Sequence, residues 1–408
     1  MTKAAHDHPD APVWARDDAF PKAPQGFGWV DLKGKLHPCD SGDALIATIR
    51  DDREAAVALV WTPAHGRMIL PEEMEGSTTA ILTSRKRRAA DDLLDSLDKL
   101  RWFGWLLAGL FLYMLYQGWA FAPQIAAPAE RFGFALRAAL SSLSLGITLL
   151  MFLIFAFIPW YQARKRLRDL GRWTDGGIAE ITPTLRFETW LEWQKAPVTR
   201  ILLALIGMVG IAQLMPGDSL SDAGLLKDRY LHGEWWRLFT SPLMHGNILH
   251  FLMNAAALLY LGKRVEVFAR WPHVPLVFLF AASIGGEASA RFIAAPSVGA
   301  SGGLMGWLGF LLVFESLHGR LVPRRARRRL LAGVVLTGLI GLIGYRFIDN
   351  AAHLGGLLAG MLYAVIVFPK STSAFRPRST ITDRIAGSAA LLVIALSALF
   401  AIMKILAS

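Results

Sequence analysis

The chain has 408 residues, of which 54% are hydrophobic and 18% charged, and its mean hydropathy is +0.39. Soluble globular domains carry about 25% charged residues, so this composition excludes an ordinary soluble domain and indicates a membrane protein. The formal net charge of +11 at pH 7 is compatible with nucleic-acid binding. However, the positive charges lie mostly between apolar segments, as in the cytoplasmic loops of membrane proteins, and we expect no nucleic-acid partner.

The N-terminal part predicts a tail and a small soluble module. Residues 1–26 are rich in Pro, Asp, Ala and His, which is typical of a disordered tail, and they contain no signal-peptide core. Residues 27–83 hold short apolar stretches between turn-prone residues, which predict strands and a helix in a cytoplasmic module without a catalytic motif. Cys39 is the only cysteine, so neither a disulfide framework nor a thiolate metal site is available.

The rest of the chain predicts nine membrane spans. A charged helical connector, SRKRRAADDLLDSLDKLR, leads into the first of them. We place the spans at about 102–122, 138–160, 200–215, 244–262, 274–293, 300–317, 330–348, 351–368 and 385–406. This pattern predicts an all-α polytopic membrane protein. Its parts are a basic connector, a two-span hairpin and a linker over 84–197, a six-helix core over 198–370, and a linker with one extra helix over 371–408.

The basic clusters predict the orientation of these spans. They lie at 85–88, 164–168, 263–264, 324–329 and 370–384, and an even number of predicted spans separates each from the next. Basic loops stay in the cytoplasm, so all five clusters are expected there. This places the N-terminus in the cytoplasm and the C-terminus outside, and we expect a multi-pass protein of a bacterial inner membrane.

Polar side chains inside three of the spans are candidate functional residues. His245, His250 and Asn254 belong to the span near 244, Ser301 to the span near 300 and His353 to the span near 351. Buried polar groups in a bilayer are costly unless they have partners. His250 and Asn254 are four residues apart, so they share one helix face. Ser301 lies between glycines and has a structural alternative, because small residues also allow close helix packing in lipid.

The predicted topology places these side chains at one depth, in the outer part of the membrane. Together they would supply a hydroxyl nucleophile, an imidazole base and donors to an oxyanion, which are the groups needed for acyl transfer. Small residues would let their helices approach closely. His353 shares a helix face with Gly356 and Gly360, and Gly302 and Gly306 follow Ser301.

Residues 200–370 resemble a rhomboid intramembrane serine protease. The resemblance rests on GASG around Ser301, HGNILHFLMN at 245–254, AHLGGLLAG at 352–360, WR at 236–237, and Glu266. It implies a Ser301–His353 dyad, an oxyanion site formed by Asn254, His250 and the Ser301 backbone N–H, and supporting roles for His245 and Gly299. It also implies that single-span membrane proteins are the substrates and that neither a metal nor another cofactor is required.

Two departures and two rival functions accompany this resemblance. Met305 stands where the family has an aromatic residue, which implies a less rigidly held His353 ring. The N-terminal hairpin and module are the other departure.

A proteolytically silent relative that binds membrane proteins for quality control is the main rival function; such relatives lack the serine or the histidine. A transporter is the second rival, but no internal repeat is visible. Substrate, pathway and oligomeric state are left open by the sequence.

Overall fold

The structure is a computed structural model that describes residues 11–122, 127–171, 175–345 and 348–407. The described chain forms two compact units and is predominantly helical. One unit contains residues 17–186 and 339–348. The other contains residues 187–338 and 349–407, together with residues 11–16.

The unit built from residues 17–186 begins with a three-stranded antiparallel sheet in which Phe27–Val30 is the central strand, between Leu36–Cys39 and Leu59–Trp61. Its core is formed by Leu45, Ile49, Val60, Ala80 and Ile81. Residues 27–83 therefore contain the strands and the helix that the short apolar stretches predict. The elements are β1 (Phe27–Val30), β2 (Leu36–Cys39), α1 (Gly42–Asp51), β3 (Leu59–Trp61), α2 (Thr78–Ala120), α3 (Pro128–Leu140), α4 (Leu143–Phe152), a π-helical turn (Leu153–Phe157) and α5 (Ile158–Leu170), with short 3-10 helices at Asp17–Ala19 and Pro71–Glu73.

The second unit carries the candidate catalytic residues. Helix α6 (Asp175–Glu192) begins in the first unit and ends in this one. The following elements are α7 (Pro197–Ala212), α8 (Ser219–Ala223), α9 (Lys227–Leu231), α10 (Arg237–Thr240), α11 (Ile248–Ala269), α12 (His273–Phe292), α13 (Ser301–Leu317), α14 (Arg324–Ile343), α15 (Asn350–Val367) and α16 (Ile381–Leu406), with 3-10 helices at Val13–Ala15 and Ser241–Leu243. The last residues of α14, from Leu339 onward, belong to the first unit.

Residues 11–26 of the expected tail contain two buried aromatic side chains. Trp14 is buried, and its indole Nε1 donates a hydrogen bond of 2.8 Å to the carbonyl of Leu321. Phe20 is only 2% exposed, and its carbonyl accepts a hydrogen bond from Arg67. These two aromatic side chains provide burial that the polar composition of the tail did not predict. Residues 1–10 of the expected tail lie outside the described residues.

The second predicted span is displaced along the chain. The charged connector and the first predicted span form one continuous helix, α2, which is roughly 65 Å long at 1.5 Å per residue. The predicted span at 138–160 is instead a continuous helical segment at Ser144–Leu170. The difference arises because α3 ends at Leu140 and the Ser142 side chain caps a new helix by accepting from the Leu145 N–H.

Four helices of the described chain are long and apolar enough to cross a membrane. They are Ser144–Leu170, His273–Phe292, Asn350–Val367 and Ile381–Leu406. Helix α13 is a shorter apolar helix of 17 residues. The all-α polytopic class is therefore confirmed, whereas the count of nine spans and the division into six core helices and one extra helix stay predictions.

Glycine contacts hold α13 directly against α15. A Cβ atom at Gly356 would overlap the carbonyl oxygen of Gly302, and one at Gly360 would overlap the carbonyl oxygen of Gly306. The two backbones therefore touch at successive helical turns, as small residues permit in membrane helices. This contact brings the first turn of α13 beside the first turn of α15, where Ser301 and His353 lie.

A buried ion pair joins α11 to α13. Arg264 and Glu315 are 0% and 1% exposed, and Arg264 Nη2 lies 2.7 Å from Glu315 Oε1. Glu266 lies on the same helix and accepts hydrogen bonds from the backbone N–H groups of Val198 and Thr199, at the start of α7. These charged groups at one end of α11 fix its position against α7 and α13, and thereby position the His250 and Asn254 end.

Candidate active site

Ser301 is the first residue of α13. It follows a loop in which Ala300 is fully buried, and its own side chain is partly exposed. The N–H groups in the first turn of a helix have no acceptor within that helix, and the helix dipole is positive there. The hydroxyl and the backbone N–H of Ser301 therefore lie where a developing negative charge is favoured.

His250 and Asn254 flank the loop that leads to Ser301. The structure confirms that they share one face of α11 and directs that face toward Gly299. A Cβ atom at Gly299 would lie 2.7 Å from His250 Cε1 and 3.5 Å from Asn254 Nδ2. Gly299 also has φ +128°, a conformation that residues with a side chain rarely adopt. Both observations explain why glycine occupies this position, two residues before Ser301.

His353 lies on the first turn of α15, next to the glycine contact with α13. A Cβ atom at Gly302 would lie 3.6 Å from the Ala352 carbonyl, which places Ser301 and His353 on adjoining turns of two touching helices. The rings of His353 and His250 are close enough to interact electrostatically. Among the described residues no hydrogen bond joins Ser301 Oγ to the His353 ring. Catalytic hydrogen bonds are often long in the absence of substrate.

His245 supports this cluster from the loop just before α11. Its ring makes edge contacts with His250 and Phe251, with centroid distances of 5.1 Å and 5.3 Å. The Gln213 side chain clasps the His245 backbone: its Nε2 donates to the carbonyl at 3.0 Å, and its Oε1 accepts from the N–H at 2.9 Å. Both His245 ring nitrogens, and Nδ2 of Asn254, are buried and lack hydrogen-bond partners in the described part of the chain.

Asp349 caps the helix that carries His353. Its Oδ1 accepts a hydrogen bond of 2.9 Å from the Ala352 N–H, and its Oδ2 accepts from the hydroxyls of Ser289 and Ser297. Both carboxylate oxygens thus have hydrogen-bond partners other than the His353 ring. Asp349 therefore caps this helix, and a role as a third catalytic residue receives no geometric support.

A buried lysine completes the network around Asp349. Lys227 is 7% exposed, and its ammonium donates to Ser297 Oγ at 2.8 Å and to Ser289 Oγ. Burial lowers the pKa of Lys227 to about 8, and the Asp349 carboxylate acts in the opposite direction. The network connects α9, α12 and the loop before Ser301 to the start of α15. It therefore helps to fix the positions of Ser301 and His353 relative to each other.

We expect Asp349→Asn to retain most reporter cleavage, within a few-fold of the wild type, and Asp349→Ala to reduce both cleavage and thermal stability. Asn keeps the capping oxygen, whereas loss of a cap costs about 1 kcal/mol. In either variant the pKa of Lys227 falls further, so its amine can become neutral instead of remaining an unpaired buried cation. Initial rates and detergent melting curves measure the two effects. A loss of about a thousandfold in Asp349→Asn would make Asp349 a third catalytic member.

The remaining motif residues have structural contacts. Arg237 is buried and donates to the carbonyls of Gly224 and Ser221, at 2.7 Å and 2.9 Å. Its guanidinium lies over the Trp236 ring, 4.5 Å from the centroid. Met305 is buried in α13, one turn after Ser301. Arg237 therefore stabilises the loop between α7 and α11. It lies far from Ser301 along the chain.

Sequence reasoning missed four residues that position the site. Asn247 caps α11 by accepting from the His250 N–H at 2.9 Å, and a polar residue just before an apolar run is a signal that could have identified this cap. Gln213, Lys227 and Ser297 carried no such signal, because their partners lie 32 to 70 residues away along the chain.

The fold and the site together define a multi-pass, all-α integral membrane protein with a serine and histidines clustered between touching helices. Residues 232–370 match the Rhomboid domain family, so the match covers the site and excludes α7. These residues therefore form a Rhomboid domain, as the motifs around Ser301, His250 and His353 indicate.

Three relatives illustrate the similarity. The chain is 33% identical over 150 residues to "Rhomboid protease GluP" of Bacillus subtilis (strain 168), covering 36% of this chain and 29% of the relative. It is 30% identical over 135 residues to "RHOMBOID-like protein 4" of Arabidopsis thaliana, covering 33% and 34%. It is 31% identical over 139 residues to "Inactive rhomboid protein 1" of Homo sapiens, covering 33% and 16%. The chain thus spans about a third or less of these relatives' lengths, and the family includes both proteases and inactive members.

Proposed function

We propose that this protein is an intramembrane serine endopeptidase that uses a Ser301–His353 dyad. The observation that carries the proposal is the convergence of three helices: the Gly299 backbone touches His250 and Asn254, and the α13 backbone touches α15 within one turn of His353. A role in packing alone would not require histidine and asparagine side chains, which are expensive to place inside a membrane protein.

In the proposed mechanism, His353 accepts the proton of Ser301 Oγ as the oxygen attacks the carbonyl carbon of the scissile peptide bond. The tetrahedral intermediate collapses to an acyl-enzyme when protonated His353 gives its proton to the leaving amine. A water molecule, deprotonated by the same imidazole, then releases the acyl group and restores Ser301. Asp349 takes no proton and maintains the position of the His353 helix.

The oxyanion is stabilised by donors from two elements. The Ser301 N–H lies at the positive end of α13, and Asn254 Nδ2 is a buried donor without a partner among the described residues. His250 contributes a ring N–H from the same face of α11. A preorganised donor of this kind is worth about 3 kcal/mol of transition-state stabilisation.

The substrates we propose are single-span membrane proteins, cleaved near the outer membrane face. Helix weakening should control their cleavage, because a peptide bond within a helix is shielded and the helix must unwind before Ser301 can reach that bond.

Hydrolysis also needs water at the site. The unpartnered ring nitrogens of His245 favour a hydrated cavity, since buried polar atoms are normally satisfied by water or ligands. We further propose the inner membrane of a bacterium as location, with a cytoplasmic N-terminus.

Cleavage of a defined reporter tests this function. The purified full-length protein is reconstituted in liposomes with a single-span reporter carrying a Gly-Pro segment, and with a matched reporter in which Leu replaces those residues. We expect cleavage of the first reporter only, and mass spectrometry of the products locates the bond. Equal inertness of several such reporters would favour a binding function instead, as in the relatives named inactive.

We expect Gly299→Ala to lower kcat/KM for the reporter by about tenfold to a hundredfold. The new methyl group would be forced against the His250 ring, and the residue must also adopt φ +128°, so the oxyanion donors and Ser301 move apart. Gly246→Ala is the matched control, because a Cβ atom there would meet nothing closer than Val298 Cγ2 at 4.0 Å. Unchanged kinetics in Gly299→Ala would remove this loop from the proposed site.

A further inference from the structure

A basic cleft lies at the opposite end of α11 from His250. It has a volume of about 500 Å³ and is lined by Arg270, Trp271, Arg378, Ser379 and Arg384. Arg270 and Trp271 form the turn between α11 and α12, whereas Arg378 and Ser379 precede α16 and Arg384 lies in its first turn. Residues more than 100 positions apart in the sequence therefore place three arginines around one opening.

The cleft contains positive charge without a matching carboxylate. No acidic side chain lines it, and none of its three arginines forms an ion pair within the described ranges. The closest acidic residue in sequence, Asp383, is engaged in a capping box, in which its Oδ2 accepts from the Thr380 N–H at 2.7 Å. Crowded cations without a counter-charge repel one another, so this arrangement favours binding of an anion.

A fourth arginine increases this charge from behind the turn. Arg376 donates a hydrogen bond of 3.1 Å to the Val267 carbonyl near the end of α11. Burial, and then the neighbouring Arg270 cation, lower the pKa of Arg376. The backbone groups near the cleft act in the same direction, because α12 and α16 both begin beside it and the positive ends of their dipoles lie there.

Backbone strain at Arg270 indicates that its position is specifically maintained. Its φ is +80° and its ψ is 158°, in a region that is used almost only by glycine and that costs about 1–3 kcal/mol for other residues. Its Nε donates to the Pro377 carbonyl at 3.1 Å, which fixes the guanidinium beside the segment that carries Arg378. The positive-inside tendency explains why these loops contain basic residues. It does not explain why the Arg270 backbone is strained or why three arginines line one cleft.

We propose that this cleft binds a phosphate group, and that the headgroup of an anionic phospholipid supplies it. Arginine pairs with phosphate oxygens through two parallel N–H donors, which makes a cleft lined by three arginines well suited to a phosphate. The cleft lies at the ends of α12 and α16, two helices able to cross the membrane, and Trp271 is of the residue type enriched at the lipid headgroup level. Basic pockets between span ends are typical binding sites for anionic headgroups.

Lipid binding by the full-length protein tests this site. Native mass spectrometry in detergent compares phosphatidylglycerol with phosphatidylcholine of the same acyl chains. For the wild type we expect preferential retention of phosphatidylglycerol. Arg378→Gln/Arg384→Gln should weaken that binding about tenfold, since each basic residue near a headgroup contributes substantially. Both side chains are exposed, so these substitutions should leave the fold intact. Arg378→Lys/Arg384→Lys should restore part of the binding.

The matched control removes the same charge from another basic segment. Arg324→Gln/Arg325→Gln lies at the start of α14 and should leave phosphatidylglycerol binding within about twofold of the wild type. A second arm measures melting temperature in sodium phosphate against sodium chloride at equal ionic strength, which detects binding of free phosphate. A response to inorganic phosphate alone, lost in the cleft variant, would identify a soluble phosphate compound as the occupant. Equal losses in the cleft and control variants, or no preference in either arm, would overturn the proposal.

Discussion

Ser301→Ala and His353→Ala are each expected to abolish cleavage of a helix-weakened reporter in liposomes, with a loss of at least about a thousandfold in kcat. The first substitution removes the only proposed nucleophile, and the second removes the group that accepts its proton. Because the two residues act as one unit, removing both should reduce cleavage no further than removing either one. Product formation over time, resolved by gel electrophoresis and mass spectrometry, measures the effect.

The matched controls for these variants keep the same chemical changes away from the site. Ser316 lies on the same helix and its hydroxyl donates to the Leu312 carbonyl of that helix, so Ser316→Ala should cleave normally. His232 is exposed and lies in the loop after α9, so His232→Ala should also cleave normally. If Ser301→Ala retained wild-type cleavage while folded, Ser301 would be a packing residue and the dyad would be refuted.

Gly356→Ala is expected to destabilise the protein by about 3 kcal/mol and to reduce cleavage at least about tenfold. The added methyl group would overlap the Gly302 carbonyl oxygen, so α15 would have to move away from α13. That movement separates His353 from Ser301, and small misplacements of catalytic groups strongly reduce rates. The melting midpoint in detergent and the initial cleavage rate should therefore fall together.

Gly207→Ala separates this packing effect from the intrinsic effect of the substitution. A Cβ atom at Gly207, on α7, would have no neighbour within 4 Å. Alanine is a better helix former than glycine by up to about 1 kcal/mol, so this variant should be neutral or slightly more stable. Similar melting midpoints for both variants would show that the α13–α15 contact tolerates a side chain and that the site is less tightly constrained than the glycine contacts imply.

These experiments also show whether this protein behaves like its relative named a protease or like its relative named inactive. One similar protein is named a protease and another is named inactive, at 33% and 31% identity over similar lengths. Ser301 and His353 are both present and lie on touching helices in this chain, which favours the protease. If the wild type bound reporters without cleaving them, the same cluster would be a recognition site for membrane helices.

Local features were predictable from the sequence alone. The composition determined the membrane class, and the four-residue interval between His250 and Asn254 determined that they share a helix face. The motifs around Ser301 and His353 were sufficient to indicate the family, which the comparison confirms. The roles of Ser301, His353, Asn254 and His250 stay predictions. These inferences succeed because helix periodicity and hydropathy act over a few residues.

Only the tertiary structure decided which distant groups meet. The Lys227 network joins residues 52 to 70 positions apart, the Gln213 clasp spans 32 positions, and the basic cleft depends on a turn and a helix start that are more than 100 positions apart. The burial of Trp14 likewise depends on Leu321. A hydropathy pattern specifies which face of a helix is apolar but not which helix covers it. Contacts between backbones, such as those at Gly356, follow only from packing in three dimensions.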